Sequence, residues 1–478
     1  MKLVYKMNER PPFGKNLIYA FQQLLAIIAA TVLVPALVNS SLPAGAPTQP
    51  MSQAAALIGA GVGTIVYLLF TRFKSPVFLG SSFAFISPLC TGILYGYCGI
   101  ILGSVFAGLV YVVIALVVRR VGSKWISKLM PPVIIGPTVA LIGLSLSGSA
   151  ISNVMNTTGE YNLLGIFVAI VTFLVTVLVS VKGNKSMKLI PFVIGVGVGY
   201  LLSLVLTLLG MAFGSDYMKL IDFSAFESIA DFSNWVPKLA FVEAIKELTG
   251  SVSTIREFDL TAVLNLFVAF APVALVIFAE HVADHKNISS IIDQDLLENP
   301  GLDKTLLGDG VGSMAGAFFG GCPNTTYGES IGCVAITGNA SVFTIFTTAI
   351  MCIVLAFIYP VMLFIESIPG CVVGGICIAL YGFIAVSGLR MFKNVDLDDS
   401  KNLFIVAAIL VTGLGGLELK IGPVTISSIA CALILGIIVN LLLKPTEVKV
   451  KKEVETEGLT EEETMFGTVY EEKKDENK

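Results

Sequence analysis

Apolar residues along this chain come in long blocks rather than at amphipathic spacing, as in Leu17–Val38, Gly99–Val118, Leu163–Val181 and Val424–Leu443. Each block holds roughly 20 residues, enough at ~1.5 Å rise per residue to cross a ~30 Å hydrocarbon core. With the Gly, Pro and polar breakers between them, the blocks predict about fourteen membrane spans. The expected bounds are 17–38, 53–70, 77–95, 99–118, 132–150, 163–181, 190–209, 261–283, 305–321, 325–338, 342–365, 370–389, 402–417 and 424–443. The fold class is therefore an all-α polytopic membrane protein.

Basic residues then orient the spans. Lys2, Lys6, Arg10 and Lys15 precede the first; Arg72 and Lys74 follow the second; Arg119, Arg120, Lys124 and Lys128 follow the fourth. Lys182, Lys185 and Lys188 follow the sixth, and Arg390, Lys393 and Lys401 the twelfth, whereas loops 39–52, 96–98 and 151–162 hold no Lys or Arg. The positive-inside rule puts both termini in the cytoplasm, with the protein in the cell's inner (plasma) membrane. The longest loop, 210–260, falls outside, and its Trp235–Leu248 stretch predicts an amphipathic helix serving as a structural cover.

Composition agrees with the pattern. Hydrophobic residues make up 55% of the 478 and charged ones only 13%, against about 25% in soluble domains. Mean hydropathy is +0.86. The net charge of −4 owes much to the tail 444–478, a Lys/Glu mixture read as solvated and disordered. Eight scattered cysteines form no CxxC pair and no zinc spacing, so they read as small buried hydrophobes and imply no metal or other cofactor. A nucleic acid polymer is not an expected partner.

Two spans are not clean helices. The third opens Val77-Phe-Leu-Gly-Ser-Ser-Phe-Ala-Phe-Ile-Ser-Pro88, and the tenth region reads Gly320-Gly-Cys-Pro-Asn-Thr-Thr-Tyr-Gly-Glu-Ser-Ile-Gly332. Each starts with a stretch suited to extended backbone and then offers a helix start, Ser87 as N-cap before Pro88 in one and Ser330 as N-cap in the other. Unpaired backbone is costly in hydrocarbon, so such segments must be buried in protein or line a cavity. Three and ten differ by seven, which predicts two seven-span repeats of opposite topology with matching breaks, a pattern that points to a transporter's midplane site. The plainer alternative is a pair of Gly-rich kinks.

Acids inside spans are functional candidates because burying an unpaired charge is expensive. Glu280 ends the run from Ala271 in span eight, and Glu329 stands at the break in span ten; the bland reading for either is an acid capping free backbone. On a helix Glu280 and Asp284 share one face, while His281 and His285, the chain's two histidines, share another about 100° away and suit packing. Carboxylates facing ring N–H groups and free backbone N–H groups facing ring carbonyls suit a small heterocycle, with aromatic faces above and below. The third span offers the N–H and ring of Phe83. The tenth offers the N–H of Gly328, the side chain of Tyr327 and Glu329. A desolvated Glu280 would exchange a proton near neutral pH, a route to proton coupling.

At these residues the sequence resembles the nucleobase–ascorbate transporter family, most closely its bacterial uracil permeases. The blocks that carry the likeness are Leu79-Gly-Ser-Ser-Phe-Ala-Phe-Ile-Ser-Pro88, Ala279-Glu-His-Val282 and Pro323-Asn-Thr-Thr-Tyr-Gly-Glu329, with Glu9-Arg-Pro-Pro12, Ala30–Pro35 and Ala379-Leu-Tyr-Gly382 in support. The resemblance implies a core of spans 1–4 (17–118) and 8–11 (261–365) after a cytoplasmic start (1–16). The gate would comprise spans 5–7 (132–209) and 12–14 (370–443). It also implies paired antiparallel strands at the two breaks, substrate held by Glu280, Glu329, Phe83, Gly328, Tyr327 and the gate-side Tyr381, proton symport and a homodimer.

Three positions depart from the pattern. Uracil permeases commonly carry His four residues after the span-eight glutamate; here that residue is Asp284, with His285 next, so proton coupling is assigned to Glu280, Asp284 and His285 together. Ser330 replaces a usual Asn, and Gln22-Gln23 a usual Gln-His. An acid at 284 resembles purine carriers, whereas Glu329 resembles pyrimidine carriers. The expectation is an importer of uracil, with a xanthine or urate permease as the alternative. An anion exchanger or channel would want a basic residue beside the span-ten break. An intramembrane enzyme lacks a nucleophile motif, and Val282 stands where a metalloprotease needs its glutamate.

Overall fold

The computed structural model describes residues 3–443 apart from 44, 123–124, 126–128, 158–159, 392–394 and 422–423. The tail 444–478 and the basic residues Lys2, Lys124, Lys128 and Lys393 lie outside the described residues. The first half of the chain forms α1 (Phe13–Ser40), α2 (Gln53–Phe70), strand β1 (Leu79–Ser81), α3 (Ile86–Gly92) and α4 (Gly96–Val121). It continues with α5 (Pro132–Ser145), α6 (Ser147–Met155), α7 (Leu163–Lys182), α8 (Pro191–Phe213) and the short α9 (Ala240–Leu248). The second half runs α10 (Leu260–Ile292), α11 (Leu302–Gly320), β2 (Asn324–Thr326), α12 (Gly328–Thr337), α13 (Val342–Ala356) and α14 (Tyr359–Glu366). It ends with α15 (Gly370–Arg390), α16 (Ser400–Leu414), the hairpin β3 (Leu419–Ile421) and β4 (Val424–Ile426), and α17 (Ser428–Leu442).

Among the described residues, eight helical segments are long and apolar enough to cross a bilayer, and a bent pair makes a ninth. That pair, α13 and α14, replaces the single expected span 342–365. The chain turns by 83° there, because Pro360, at the start of α14, has no N–H to continue the helix and its ring clashes with the preceding turn. The last expected span also starts late. Val424-Thr-Ile426 pairs as a strand with Leu419-Lys-Ile421, so α17 begins only at Ser428; the β-branched Val, Thr and Ile favour a strand there. Conversely, α10 runs to Ile292, and its 33 residues reach about 50 Å, well past the hydrocarbon core.

Two contact groups emerge. α2 packs on α11 and α13, and α4 on α10 and α11; α15 packs on α5, α6 and α7. Glycines allow the closest of these approaches. A Cβ on Gly312 would lie 2.7 Å from the Gly63 carbonyl, and one on Gly320 2.6 Å from that of Ala55, so α2 and α11 touch backbone to backbone. The Asn324 side chain fills the slot that Gly63 and Gly316 leave open, and its Nδ2 donates to the Gly59 carbonyl at 2.9 Å.

The loop 214–259 carries α9, within the expected amphipathic stretch. Its Phe241 ring stacks on Phe318 of α11 at 5.1 Å. Glu247 accepts from the backbone N–H groups of Tyr97 (2.9 Å) and Cys98 (3.1 Å) at the start of α4.

Candidate substrate site

Two short strands organise the site. β1 and β2 pair antiparallel in the register Leu79↔Thr326, Gly80↔Thr325 and Ser81↔Asn324, and Ser82 N–H extends the ladder to the Pro323 carbonyl at 3.0 Å. Each strand thereby satisfies the other's backbone deep inside the protein, where water is not available. The outer edge of β1 is met by Thr64 of α2, whose hydroxyl donates to the Leu79 carbonyl (3.0 Å) and accepts from the Leu79 N–H (2.9 Å).

Both strands lead into helix starts, though not at the serines expected. A 3₁₀ turn, Phe83–Phe85, leads straight into α3, which leaves Ser87 inside the first helical turn. α12 starts at Gly328 after Tyr327 in extended conformation, with Ser330 already helical. Ser330 is held instead by Gln23 of α1, whose Nε2 donates to the Ser330 carbonyl at 3.2 Å and also reaches its Oγ. Neither start has a side-chain cap, so the first N–H groups at Phe83 and Gly328 keep the orphan donors typical of helix N-termini. Around Gly328 there is open space: it is exposed, and no atom lies within 4 Å of a Cβ built there.

The acids converge here. Glu280 and Asp284 stand one turn apart on α10, and Thr326, the last residue of β2, donates to Asp284 Oδ2 at 2.6 Å. The charges of Asp284, Glu329 and Asp309 all act on Glu280, Asp284 most strongly. Glu329 stands three residues beyond Thr326, at the start of α12. Phe83 of the first break meets Tyr381 of α15 edge-to-face at 5.8 Å, which brings an aromatic pair from two different helix groups together. Tyr327 faces the other way: its ring covers Gly80, and its hydroxyl donates to the Ser81 carbonyl at 2.8 Å, so it braces the strand pair.

The histidines occupy a neighbouring face of α10. His285 Nδ1 donates to the His281 carbonyl (2.8 Å), and its Nε2 lies 2.7 Å from the hydroxyl of Tyr67 on α2. His281 stacks on it with ring centroids 4.0 Å apart, and its Nδ1 lies 2.7 Å from Oδ2 of Asp309 on α11. Asp309 is a further buried acid, inside the expected ninth span, and its burial in hydrocarbon makes it a functional candidate as it does Glu280. In sequence it sits among Gly and Ser residues, Gly308-Asp-Gly-Val-Gly-Ser313, rather than in an apolar run.

The model of the Permease family matches residues 14–421. The uracil permease of Bacillus caldolyticus is 36% identical over 447 residues, 92% of this chain and 95% of that protein. That of Bacillus subtilis (strain 168) is 35% identical over 435 residues, 89% of this chain and 92% of that protein. Among solved structures, murine Solute Carrier 26 family member A9, an anion transporter in the inward-facing state, is similar with TM-score 0.61. It is 10% identical, over 91% of this chain and 69% of that one, a likeness of fold alone. A family match across most of the length, on a chain with this many apolar helices, makes the protein a multi-pass membrane permease, not an enzyme, and a member of the nucleobase–ascorbate transporter family.

Proposed function

We propose that the protein imports uracil by proton symport across the cell's inner membrane. The observation that carries this reading is the strand pair that sets two uncapped helix starts side by side, with Glu329 at the second and Thr326 of the same strand bonded to Asp284, one turn from Glu280. Uracil has two ring N–H donors and two carbonyls. Glu329 accepts one N–H and Glu280 binds the other side, while the N–H groups of Phe83 and Gly328 meet the carbonyls. Phe83 and Tyr381 supply the aromatic wall, and Tyr327 holds the strands that shape the floor.

In this reading the chain makes fourteen crossings in two inverted repeats, with both termini cytoplasmic and two copies forming a homodimer. Residues 17–118 and 261–365 form the core, and 132–209 and 370–443 the gate. Alternating access is a rocking of the core against the gate, with Phe83 and Tyr381 meeting across the boundary. Glu280 takes up and releases the coupling proton, with Asp284 and His285 as its polar neighbours.

The test is uptake of radiolabelled uracil in cells that lack their own carrier, with and without a protonophore. Uptake that ignores both the protonophore and Glu280→Gln rules out the coupling. The second reading, a purine permease, is favoured by Asp284, whose fixed carboxylate adds an acceptor for a base with more N–H groups. Strong competition by unlabelled xanthine against uracil would favour it.

A further inference from the structure

The short helix that presents Glu329 is gripped at its far end by the segment that precedes α1. Along α12, Ile331 and Val334 are buried, whereas Gly328, Gly332 and Ile336, on successive turns of the opposite side, are exposed or half-exposed. The helix is therefore packed on one side only. Apolar packing is non-directional, so it holds a helix against its neighbour without fixing the helix direction. At the start, Gly328 joins strand to helix in open space, where nothing resists a pivot, and Gln23 reaches only the first turn. The direction of α12, and with it that of the Glu329 side chain, falls to whatever holds the other end.

That end is held by a strand-like contact. Residues 4–9 run parallel to the turn after α12, with Tyr5 paired to Asn339. The Gly338 carbonyl accepts from the N–H groups of Val4 (2.8 Å) and Tyr5 (3.3 Å), while the Ala340 and Val342 N–H groups donate to the Tyr5 and Met7 carbonyls, both at 3.0 Å. The Ser341 hydroxyl donates to the Glu9 carbonyl at 2.6 Å. The segment is anchored in its turn. Met7 is buried, the Tyr5 ring meets Tyr19 of α1 edge-to-face at 6.0 Å, and Arg10 lies over the Phe343 ring of α13 at 5.3 Å. Asn16 then ties α1 to α13, accepting from Thr344 and donating to Thr347, each at 2.8 Å. The far end of α12 is thus fastened to a frame of α1 and α13, neither of which carries a candidate substrate residue.

We infer that residues 4–9 are a positioning element of the substrate site, a splint that aims α12 and so the Glu329 carboxylate. This rests on the reading above that Glu329 accepts a substrate N–H. Glu329 and Gly338 are nine residues apart, ~14 Å along the helix. Freeing the far end by about 3 Å tilts α12 by about 12°, and a binding geometry is lost over about 10–20°. The segment touches no substrate; it acts through the helix.

The experiment measures equilibrium binding of radiolabelled uracil to purified protein in nanodiscs, giving both Kd and the number of sites. A chain lacking residues 2–8 loses the Val4, Tyr5 and Met7 bonds and keeps Glu9. Its Kd is expected to rise about tenfold, the loss of one well-aimed hydrogen bond to a charged group, with the number of sites unchanged. Loss of folded protein would do the reverse, lowering the number of sites at constant Kd. In a Glu329→Gln background the same deletion is expected to change Kd by less than about twofold, because the group it aims has already been altered. An unchanged Kd in the deleted chain overturns the splint, and so does an equal rise in both backgrounds. Should the deletion remove the sites, Ser341→Ala decides instead: losing one bond to the segment should raise Kd about threefold in the presence of Glu329 only, and no change overturns the splint. If Glu329→Gln in the full chain binds uracil as wild type does, the substrate reading falls and this inference with it. Weak binding by Glu329→Gln beside an unaffected deleted chain overturns the splint alone.

Discussion

The two breaks at the centre of this protein are built alike and equipped differently. The first, at β1, is packed on all sides: Phe83 is only 8% exposed, and the residues it offers are neutral. The second, at β2, opens at Gly328 and sets Glu329 at the lip of the opening. Their anchoring differs too. Thr64 satisfies the edge of β1 with a single hydroxyl, whereas the second break is held by the Asn324 side chain in its glycine slot and by Gln23 on Ser330. The first break supplies shape, and the second supplies charge and access. Recognition energy should therefore be distributed unequally between them.

The largest expected effect follows from that asymmetry. Glu329→Ala should lower uracil uptake about a hundredfold, since a buried charge-assisted hydrogen bond and its desolvated partner are lost together. Phe83→Leu keeps the backbone N–H and forfeits only the ring contact with Tyr381, so uptake should fall by no more than about tenfold. Initial uptake rates at matched expression decide the matter, and equal losses would break the contrast.

Glycine substitutions sharpen the same comparison. Gly328→Ala adds a methyl in open space, so it should leave the melting temperature unchanged and raise the KM for uracil about tenfold. Gly80→Ala pushes a Cβ into the Tyr327 ring, an overpacking that costs about 1–3 kcal/mol and shows as a lower melting temperature. Asn324→Ala should cost a similar ~1–3 kcal/mol by leaving the Gly59 carbonyl without its partner. A fall in melting temperature for Gly328→Ala as large as that for Gly80→Ala would mean both breaks are packed alike.

How far these features were legible follows from what a linear pattern encodes. Apolar block length marks α1, α2, α7 and α8 within a few residues, because bilayer thickness sets it directly. The interruptions near residues 80 and 325 were visible as Gly and hydroxyl residues where a helix should be apolar. The 83° bend between α13 and α14 was also signalled, by Pro360, but hydropathy averages over such a residue. The β3–β4 hairpin was hidden because Val424-Thr-Ile reads equally as strand or buried helix. Within the site, the i,i+4 argument separated acids from histidines on α10. What periodicity could not supply were partners on other helices: Asp309 for His281, Thr326 for Asp284, Gln23 for Ser330. Those depend on how helices distant in sequence are juxtaposed.

The short helices after the breaks end in turns that are also tied down differently, which gives the smallest but most discriminating test. After α12, Gly338 accepts from Val4 N–H at 2.8 Å, the Ala340 and Val342 N–H groups reach the Tyr5 and Met7 carbonyls at 3.0 Å, and the Ser341 hydroxyl donates to the Glu9 carbonyl at 2.6 Å, so the N-terminal segment clamps that turn through its own backbone. After α3, the turn at Gly96 is clamped by the Glu247 carboxylate on the Tyr97 and Cys98 N–H groups. Burial raises the Glu247 carboxyl above its ordinary range, and the two N–H groups offset this only in part. A carboxyl raised in the folded state favours folding when protonated. Its contribution is therefore fully present below the unfolded-chain value of 4.5 and is lost as pH rises through the higher folded value. The melting temperature of wild type should gain relative to Glu247→Gln as pH falls from neutral to acid, because glutamine cannot take up that proton. Deleting residues 1–5 should leave this gain intact, since the Val4 and Tyr5 backbone bonds to Gly338 and Ala340 that are removed have no titrating partner. If the gain is the same in Glu247→Gln as in wild type, the acid-dependent term arises elsewhere and the two turns are equivalent in this respect.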